Sequence, residues 1–151
     1  FANPSNNRYH QIFEYMFIFS KGKPKTFNPI KDKKNVYGGK IGCYGKNTIR
    51  QKDGSFKERD IKINSEFGMR LNIWRINTEM KPLHPAQFPY QLAHDHIISW
   101  SNEGDIVLDP FAGSGTTGLA CINTNRNYIL IEKEEEYCTI INERLNNVRN
   151  K

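Results

Sequence analysis

The chain has 151 residues, of which 37% are hydrophobic and 25% are charged, an ordinary composition for one soluble globular domain. It has no apolar run long enough to span a bilayer and no signal-peptide pattern. Three cysteines without a C-x-x-C pair argue against a disulfide scaffold or a metal site and predict a reducing, cytoplasmic location. Because the first residue is Phe1 and not Met, we expect a piece of a longer protein.

The net charge of +6 is unevenly distributed. Residues 21–81 contain 16 Lys/Arg against 6 Asp/Glu, whereas residues 82–151 contain 5 against 9. A basic block of this kind suits a polyanion such as nucleic acid. It is equally compatible with a solvated lysine-rich surface.

The first half of the chain gives few clear elements. Residues 13–24, "FEYMFIFSKGKP", are rich in aromatic residues and end in Gly-Lys-Pro, which predicts a buried strand followed by a turn. Residues 25–81 contain many Gly, Asn and Lys, and predict loops and short strands in an insertion or small subdomain. Within them "LNIWRI", residues 71–76, is a candidate short strand.

The second half gives a regular alternation. Ala93, Ile97 and Trp100 lie at helical spacing, and "IVLDP" then predicts a short strand. A glycine loop, a helix of small residues over about 116–122 and a second strand in "NYILIE" follow, and the last segment has a helical apolar stripe. The order helix, strand, helix, strand, helix predicts a parallel βαβ unit of Rossmann type.

The loop "DPFAGSGTT", residues 109–117, lets the backbone approach a ligand closely. The phosphate loop of NTPases requires a lysine that is absent here. The dinucleotide pattern G-x-G-x-x-G fits Gly113, Gly115 and Gly118 and stays open. Asp109 argues against it, because a carboxylate at the strand end would repel a pyrophosphate. This acid suits a cationic ligand, or it orients the loop through backbone N–H groups.

Glu132 ends "YILIE", 19 residues after Gly113. An acid at the end of the second strand can accept hydrogen bonds from two ribose hydroxyls. An adenosine cofactor with free ribose hydroxyls and a cationic tail is S-adenosylmethionine. The alternative for Glu132 is an acid that starts the final helix, as its neighbours Glu134–Glu136 would allow.

The residues resemble the DNA amino-methyltransferases, which methylate the exocyclic amine of adenine or cytosine. The resemblance is carried by "DPFAGSGTT", by "HPAQFPYQLAHDHIISWSNEGDIVLDPFAGSGTTG", by "YILIEKEEEYC", and more loosely by "FEYMFIFSKGKPKTFNP" and "NIWRI". It implies an α/β fold, a partial, parallel-rich sheet of the Rossmann-like S-adenosylmethionine-dependent methyltransferase type with an irregular target-recognition insertion. The implied division is 1–30, the end of the catalytic subdomain with a strand and turn; 31–81, the basic target-recognition region; and 82–151, the cofactor-binding βαβ portion.

The resemblance also implies site roles. Glu132 would hold the ribose, Lys133 would lie beside the adenine, and the remaining positions would line the pocket or form the loop. Phe88 and Phe111 could instead be core aromatics, His84 a surface histidine, and Ser114 and Thr117 helix caps. The implied cofactor-binding residues are Phe88, Pro89, Asp109, Phe111, Gly113, Ser114, Gly115, Thr116, Glu132 and Lys133, with His84–Gln87 beside them.

The family's catalytic motif, [DNS]-P-P-[YF], is absent from the sequence, which contains no Pro-Pro pair. We therefore assign no catalytic residue and expect the motif upstream of Phe1, in the family order that places the cofactor half last. The expected partner is double-stranded DNA, whose bases Arg50, Arg59, Arg70 and Arg75 are the candidates to read. Adenine is favoured as target, and family analogy adds a homodimer and a restriction-modification setting.

Two alternatives to the enzyme remain at this point. The chain could be a fragment that binds cofactor, DNA or a partner chain and transfers nothing. It could also be a dinucleotide-dependent oxidoreductase built on the same βαβ unit, although Asp109 and the His-Pro-Ala-x-Phe-Pro segment have no role there.

Overall fold

The computed structural model describes residues 13–41, 48–58, 63–77 and 87–149. Its elements are four short strands, then a helix, and then a strand–helix–strand–helix succession. In chain order they are β1 (Lys33–Lys34), β2 (Thr48–Arg50), β3 (Phe56–Glu58), β4 (Phe67–Gly68), α1 (Tyr90–Trp100), β5 (Ile106–Asp109), α2 (Thr116–Asn123), β6 (Asn127–Leu130) and α3 (Glu135–Arg149).

Strands β5 and β6 pair in parallel, with Ile106 opposite Asn127 and Asp109 opposite Leu130. A parallel pair needs a crossover connection, and α2 supplies it. This confirms the predicted α/β fold with a parallel βαβ unit. Strand β6 ends at Leu130, two residues before the predicted end of "NYILIE".

The core lies in two clusters around α2. Ala93 and Ile97 of α1 meet Ala120 and Cys121 of α2, where burial raises the pKa of the Cys121 thiol to about 11. The second cluster joins Ala112 to Ile141 and Leu145 of α3. The periodic residues of the sequence thus form this core, because α1 and α3 each present one apolar stripe to α2 or to the sheet.

Among the residues that the structure describes, none covers the other face of the β5–β6 pair. Ile106, Leu108, Ile129 and Ile131 alternate with inward-facing residues along the two strands and are 51–67% exposed. Parallel sheets normally have both faces covered, so this apolar row is the most unusual feature of the unit.

Residues 25–77 form small antiparallel pairs, β1 with β4 and β2 with β3. The residues just before β1 contact the end of α1. The backbone N–H of Asn28 donates to Ser99 O at 2.8 Å, and its side-chain amide donates to Ile98 O and Ser101 O. The ring of Phe27 lies 4.8 Å from that of Trp100. These contacts fix the irregular region against the βαβ unit.

Two strand predictions are wrong. Residues 13–20 and 71–76 belong to no helix or strand, and the rings of Phe13, Tyr15, Phe17 and Phe19 are 57–88% exposed. The rings follow one another along the chain at centroid distances of 5.2–6.3 Å. The side-chain pattern of a strand is present, but a strand also needs a neighbour for its backbone hydrogen bonds. The turn at Gly22 exists, with φ +78°.

Candidate cofactor site

The carboxyl ends of β5 and β6 place residues 109–115 and Glu132 side by side. The N–H of Ile131 donates to Asp109 O at 2.9 Å, and the N–H of Ala112 donates to Ile131 O at 2.9 Å. The chain after β5 is thereby held against the chain after β6. Ligands of open α/β sheets bind at this edge, so the predicted loop residues and Glu132 are together where such a site belongs.

Asp109 orients the loop from within. Its Oδ1 accepts the Phe111 N–H at 3.0 Å, and its Oδ2 accepts the Thr117 hydroxyl at 2.5 Å. The carboxylate therefore joins the start of the loop to the first turn of α2. Of the two roles predicted for Asp109, this geometry supports loop orientation.

Glu132 connects the second strand to the loop. Its Oε2 accepts the Gly113 N–H at 2.7 Å, and its Oε1 accepts the N–H groups of Lys133 and Glu134 at 2.8 and 3.0 Å. The predicted role as a helix-start acid is partly met, since two of these amides lie just before α3. The bond to Gly113 is a second role, and it fixes the carboxylate at the mouth of the loop.

The three glycines meet two different steric demands. Gly113 and Gly115 have φ of +52° and +77°, a backbone conformation that side chains disfavour. Gly118 lies inside α2, where an added Cβ would come within 2.7 Å of Leu130 Cδ1 and 3.0 Å of Leu145 Cδ1. The first two shape the loop, and the third brings the helix close to the strand.

Ser114 lies 3% exposed between two partners that are distant in sequence. Its hydroxyl donates to Gln87 Oε1 at 3.1 Å, and Arg144 Nη1 donates to its carbonyl oxygen at 3.0 Å. Arg144 also lies 3.3 Å from the buried Thr116 hydroxyl. Sequence reasoning missed Arg144 because nothing in the pattern of α3 distinguishes it from a surface arginine. Neither Ser114 nor Thr117 caps α2, whose N-cap is Gly115 without a side-chain cap bond.

The remaining predicted residues differ in their surroundings. Phe88 packs against the α1–α2 core cluster, and Pro89 is the N-cap of α1. Phe111 is 87% exposed at the loop, so it is not a core aromatic. The Lys133 side chain is 93% exposed, with Nζ 3.8 Å from Glu134 Oε1. His84, Pro85 and Ala86 lie outside the described residues.

Arg70, a predicted reader of bases, is instead bound within the protein. Its Nε and Nη2 donate to Asp32 Oδ2 at 2.7 and 2.6 Å, its Nη1 donates to Asp95 Oδ2, and its guanidinium lies 5.0 Å from the Trp74 ring centroid. Each of its three guanidinium nitrogens thus contacts a carboxylate, and its face lies near an aromatic ring. A base would have to displace these partners, so the structure argues against that role.

Asp95 is the buried member of this network, at 2% exposure. Its other oxygen lies 2.6 Å from Gln91 Nε2 and 2.9 Å from His94 Nδ1. Burial alone would raise the pKa of Asp95, but hydrogen bonds from Gln91, His94 and Arg70, with the charge of Arg70, lower it on balance. A buried carboxylate on α1 thereby anchors the loop that carries Arg70.

Comparison with known proteins identifies the family. A family model described as DNA methylase, of the N6/N4 type, matches residues 1–143. The chain belongs to this DNA methylase family. The assignment removes the dinucleotide-dependent oxidoreductase from consideration.

Relatives within the family are longer than this chain. It is 56% identical over 155 residues to the orphan methyltransferase M.BamHII of Bacillus amyloliquefaciens, covering 95% of this chain and 57% of that protein. It is 30% identical over 133 residues to the type II methyltransferase M.HinfI of Haemophilus influenzae, covering 88% of this chain and 30% of that one. A solved M1.HpyAVI–SAM complex is 42% identical, with a TM-score of 0.42 over 56% of this chain and 46% of that one.

Among the described residues, no helix is long and apolar enough to cross a membrane.

Proposed function

We propose that this chain is the cofactor-binding and DNA-contacting part of an S-adenosylmethionine-dependent DNA methyltransferase, which methylates the exocyclic amine of adenine or cytosine. The observation that carries the proposal is the Glu132 carboxylate held by the Gly113 N–H at the carboxyl ends of β5 and β6. Membership of the DNA methylase family supports the same reaction. The chain spans 57% of the length of M.BamHII, and the activity belongs to the whole protein.

The donor set fits such a cofactor. Ribose hydroxyls require a hydrogen-bond acceptor, and the Glu132 carboxylate lies where the ribose of a nucleoside cofactor binds in related α/β sheets. A flat adenine requires an apolar surface, and the ring of Phe111 is exposed beside the loop. A cationic methionine part is favoured near the carboxylates of Asp109 and Glu132.

In this proposal the residues of the chain bind and orient, and transfer depends on groups that it lacks. When bound, S-adenosylmethionine supplies an electrophilic methyl group on a sulfonium. Glu132 would accept hydrogen bonds from the ribose, and the contacts of Asp109 and Arg144 with the loop would keep its conformation for the cofactor. The target base must leave the duplex, because its amine is otherwise paired and stacked. Alignment of amine and methyl group then supplies much of the acceleration.

The wider setting forms part of the same proposal. Double-stranded DNA is the partner, the protein is cytoplasmic, and adenine is the favoured base. The homodimer and the restriction-modification setting rest on family analogy.

A second candidate is that this chain binds cofactor or DNA but transfers nothing by itself. Two observations favour it. The sequence contains no Pro-Pro pair and therefore no [DNS]-P-P-[YF] motif. One face of the β5–β6 sheet also exposes four Ile and Leu side chains, which is unusual for a complete parallel sheet.

Calorimetric titration with S-adenosylmethionine, with NAD as the comparison ligand, tests the proposal. We expect binding of the first only, and roughly 10- to 100-fold weaker binding in Glu132→Gln, the range for hydrogen bonds to a charged group. Glu136→Gln, an exposed carboxylate of α3, is the matched control. Asp109→Asn should weaken binding through the loop. Circular dichroism melting of each variant separates loss of the site from loss of the fold.

Transfer is measured separately, with tritiated S-adenosylmethionine and duplex DNA. The chain is assayed alone and joined to the part of M.BamHII that it does not match. If only the joined protein is active, the result favours the second candidate, in which the chain by itself binds cofactor or DNA but transfers nothing. Preference for NAD, or an unchanged affinity in Glu132→Gln, would overturn the cofactor assignment.

A further inference from the structure

Strands β2 and β3 form a hairpin with a defined turn. Thr48, Ile49 and Arg50 lie opposite Glu58, Lys57 and Phe56 in register. The Gln51 N–H donates to Ser55 O at 2.7 Å, and the Gly54 N–H donates to Gln51 O at 3.1 Å. Gly54 has φ +87°, which a tight turn of this kind requires. The tip therefore has a fixed backbone and is not an open loop.

Asp53 strengthens the tip. Its Oδ1 accepts both the N–H and the hydroxyl of Ser55, at 2.9 and 2.7 Å, and the hydrogen bonds from Ser55 lower the pKa of Asp53. The carboxylate is thus bound to its own turn. The other acid of the hairpin, Glu58, lies opposite Thr48 at the end of the ladder farthest from the turn.

Three cations surround this tip, and its Asp53 carboxylate is bound to Ser55 of the same turn. Arg50, Lys52 and Lys57 are exposed, and in the described part of the chain none of them lies within ion-pair distance of a carboxylate. Arg70 differs from them, since Asp32 and Asp95 already neutralise it. The hairpin is therefore a place where the positive charge of residues 31–81 faces solvent.

An apolar side chain accompanies the charge. Phe56 is 66% exposed and lies opposite Arg50 on the ladder, so the two side chains share one face. The chief packing of β2 and β3 is against each other. A purely solubilising surface has no need of an exposed aromatic residue beside an arginine. A two-stranded ribbon also has the width that the major groove of B-DNA admits.

We propose that the β2–β3 hairpin is the element that enters a groove of double-stranded DNA, with Lys52 and Lys57 on phosphates and Arg50 at base edges. The inference rests on DNA being the partner in the proposed function, and it names the part of the chain that makes the contact. Phosphate contacts set the position of the ribbon, and a guanidinium can read guanine with two hydrogen bonds.

The first test is the salt dependence of duplex binding, followed by fluorescence anisotropy. In Lys52→Ala/Lys57→Ala, the slope of log K against log salt should fall by about 1.8, or about 0.9 for each lost phosphate contact. The same slope corresponds to about 30-fold weaker binding near 0.15 M salt. The matched control is Lys33→Ala/Lys34→Ala, which removes the same charge from the exposed strand β1.

The second test concerns Arg50. Selection from a randomised duplex pool should show a flattened preference at one or more positions in Arg50→Lys, because a lysine keeps the charge but lacks the guanidinium fork. Phosphate-only contact by Arg50 would leave the selected sequence unaltered.

The outcomes separate this inference from the proposed function. If the unaltered chain binds DNA but the hairpin variant keeps its salt slope, or the β1 control loses as much, the hairpin proposal fails and DNA remains the partner. If the unaltered chain binds S-adenosylmethionine but no DNA, the hairpin proposal fails together with the DNA part of the proposed function. If the unaltered chain binds DNA but not S-adenosylmethionine, only the cofactor assignment fails.

Discussion

In residues 87–149 the apolar side chains of three helices meet in two clusters, whereas residues 31–77 expose most of theirs. Ile141 and Leu145 are 8% and 4% exposed, while Val36 and Ile73 are 85% and 78% exposed. The first region is held by burial of apolar surface. The second is held by hydrogen bonds and charges, such as the Asn35 side chain donating to Ser65 O at 2.9 Å and Arg70 bound to Asp32 and Asp95. A site built on a packed core and a surface held by polar contacts thus occur in one chain.

Two alanine substitutions, one of a buried side chain and one of an exposed side chain, test this difference most strongly. Leu145→Ala should lower the free energy of unfolding by about 3 kcal/mol, because it leaves a cavity under α2. Ile73→Ala should change it by less than about 0.5 kcal/mol, since the side chain is exposed. Urea unfolding followed by circular dichroism measures both. Equal losses would mean that residues 31–77 have a core of their own.

Removal of Arg70 should separate the two regions. Arg70→Ala leaves the Asp95 charge buried without its cation and should cost about 2.5 kcal/mol, less than a fully buried pair because the Arg70 side chain is 23% exposed. Limited proteolysis should then cut within residues 31–77 before 87–149. Asp32→Asn, at a carboxylate that is 46% exposed, is the milder control. Simultaneous loss of both regions would contradict this anchoring role.

The two regions also differ at their turn glycines. Gly115→Ala should cost about 2 kcal/mol, because φ is +77° and the new Cβ would lie 3.1 Å from Ile141 Cγ1. Gly54→Ala shares the backbone strain, with φ +87°, but meets nothing within 4 Å, and should cost about 1 kcal/mol. Thermal melting compares them. Equal destabilisation by the two substitutions would show that α3 shifts to accommodate the added methyl group at position 115.

The smallest effect is expected on the pH dependence of folding stability. The pKa of Asp95 is lowered in the folded state, so the unfolded state binds more protons as the pH falls below about 4, the ordinary range for aspartate. The stability from this carboxylate is present above that pH and is lost as the pH falls through the lowered pKa. Asp95→Asn should flatten the acid limb of stability measured between pH 3 and 6. An acid limb of unaltered slope in Asp95→Asn would refute the linkage.

The sequence by itself determined the elements whose signals are local. The stripes of α1 and α3, the short runs of β5 and β6 and the glycines between them predicted the βαβ unit, because helix and strand periods are written in neighbouring residues. Gly113 and Glu132 were predicted to share a site because parallel strands end at the same edge of a sheet. The division into 1–30, 31–81 and 82–151 stays a prediction, as do the cofactor roles of the individual site residues.

Only the tertiary structure decided which side chains meet across long separations. Arg144 reaches Ser114 across 30 residues, and Arg70 reaches Asp95 across 25. No periodicity reports such pairs, because they depend on how packed helices and loops approach one another. The same limit explains why the buried strand predicted for residues 13–20 is wrong, although the aromatic composition of a strand is present there. A strand, however, exists only where another strand supplies its hydrogen bonds, and in the described part of the chain none lies beside them.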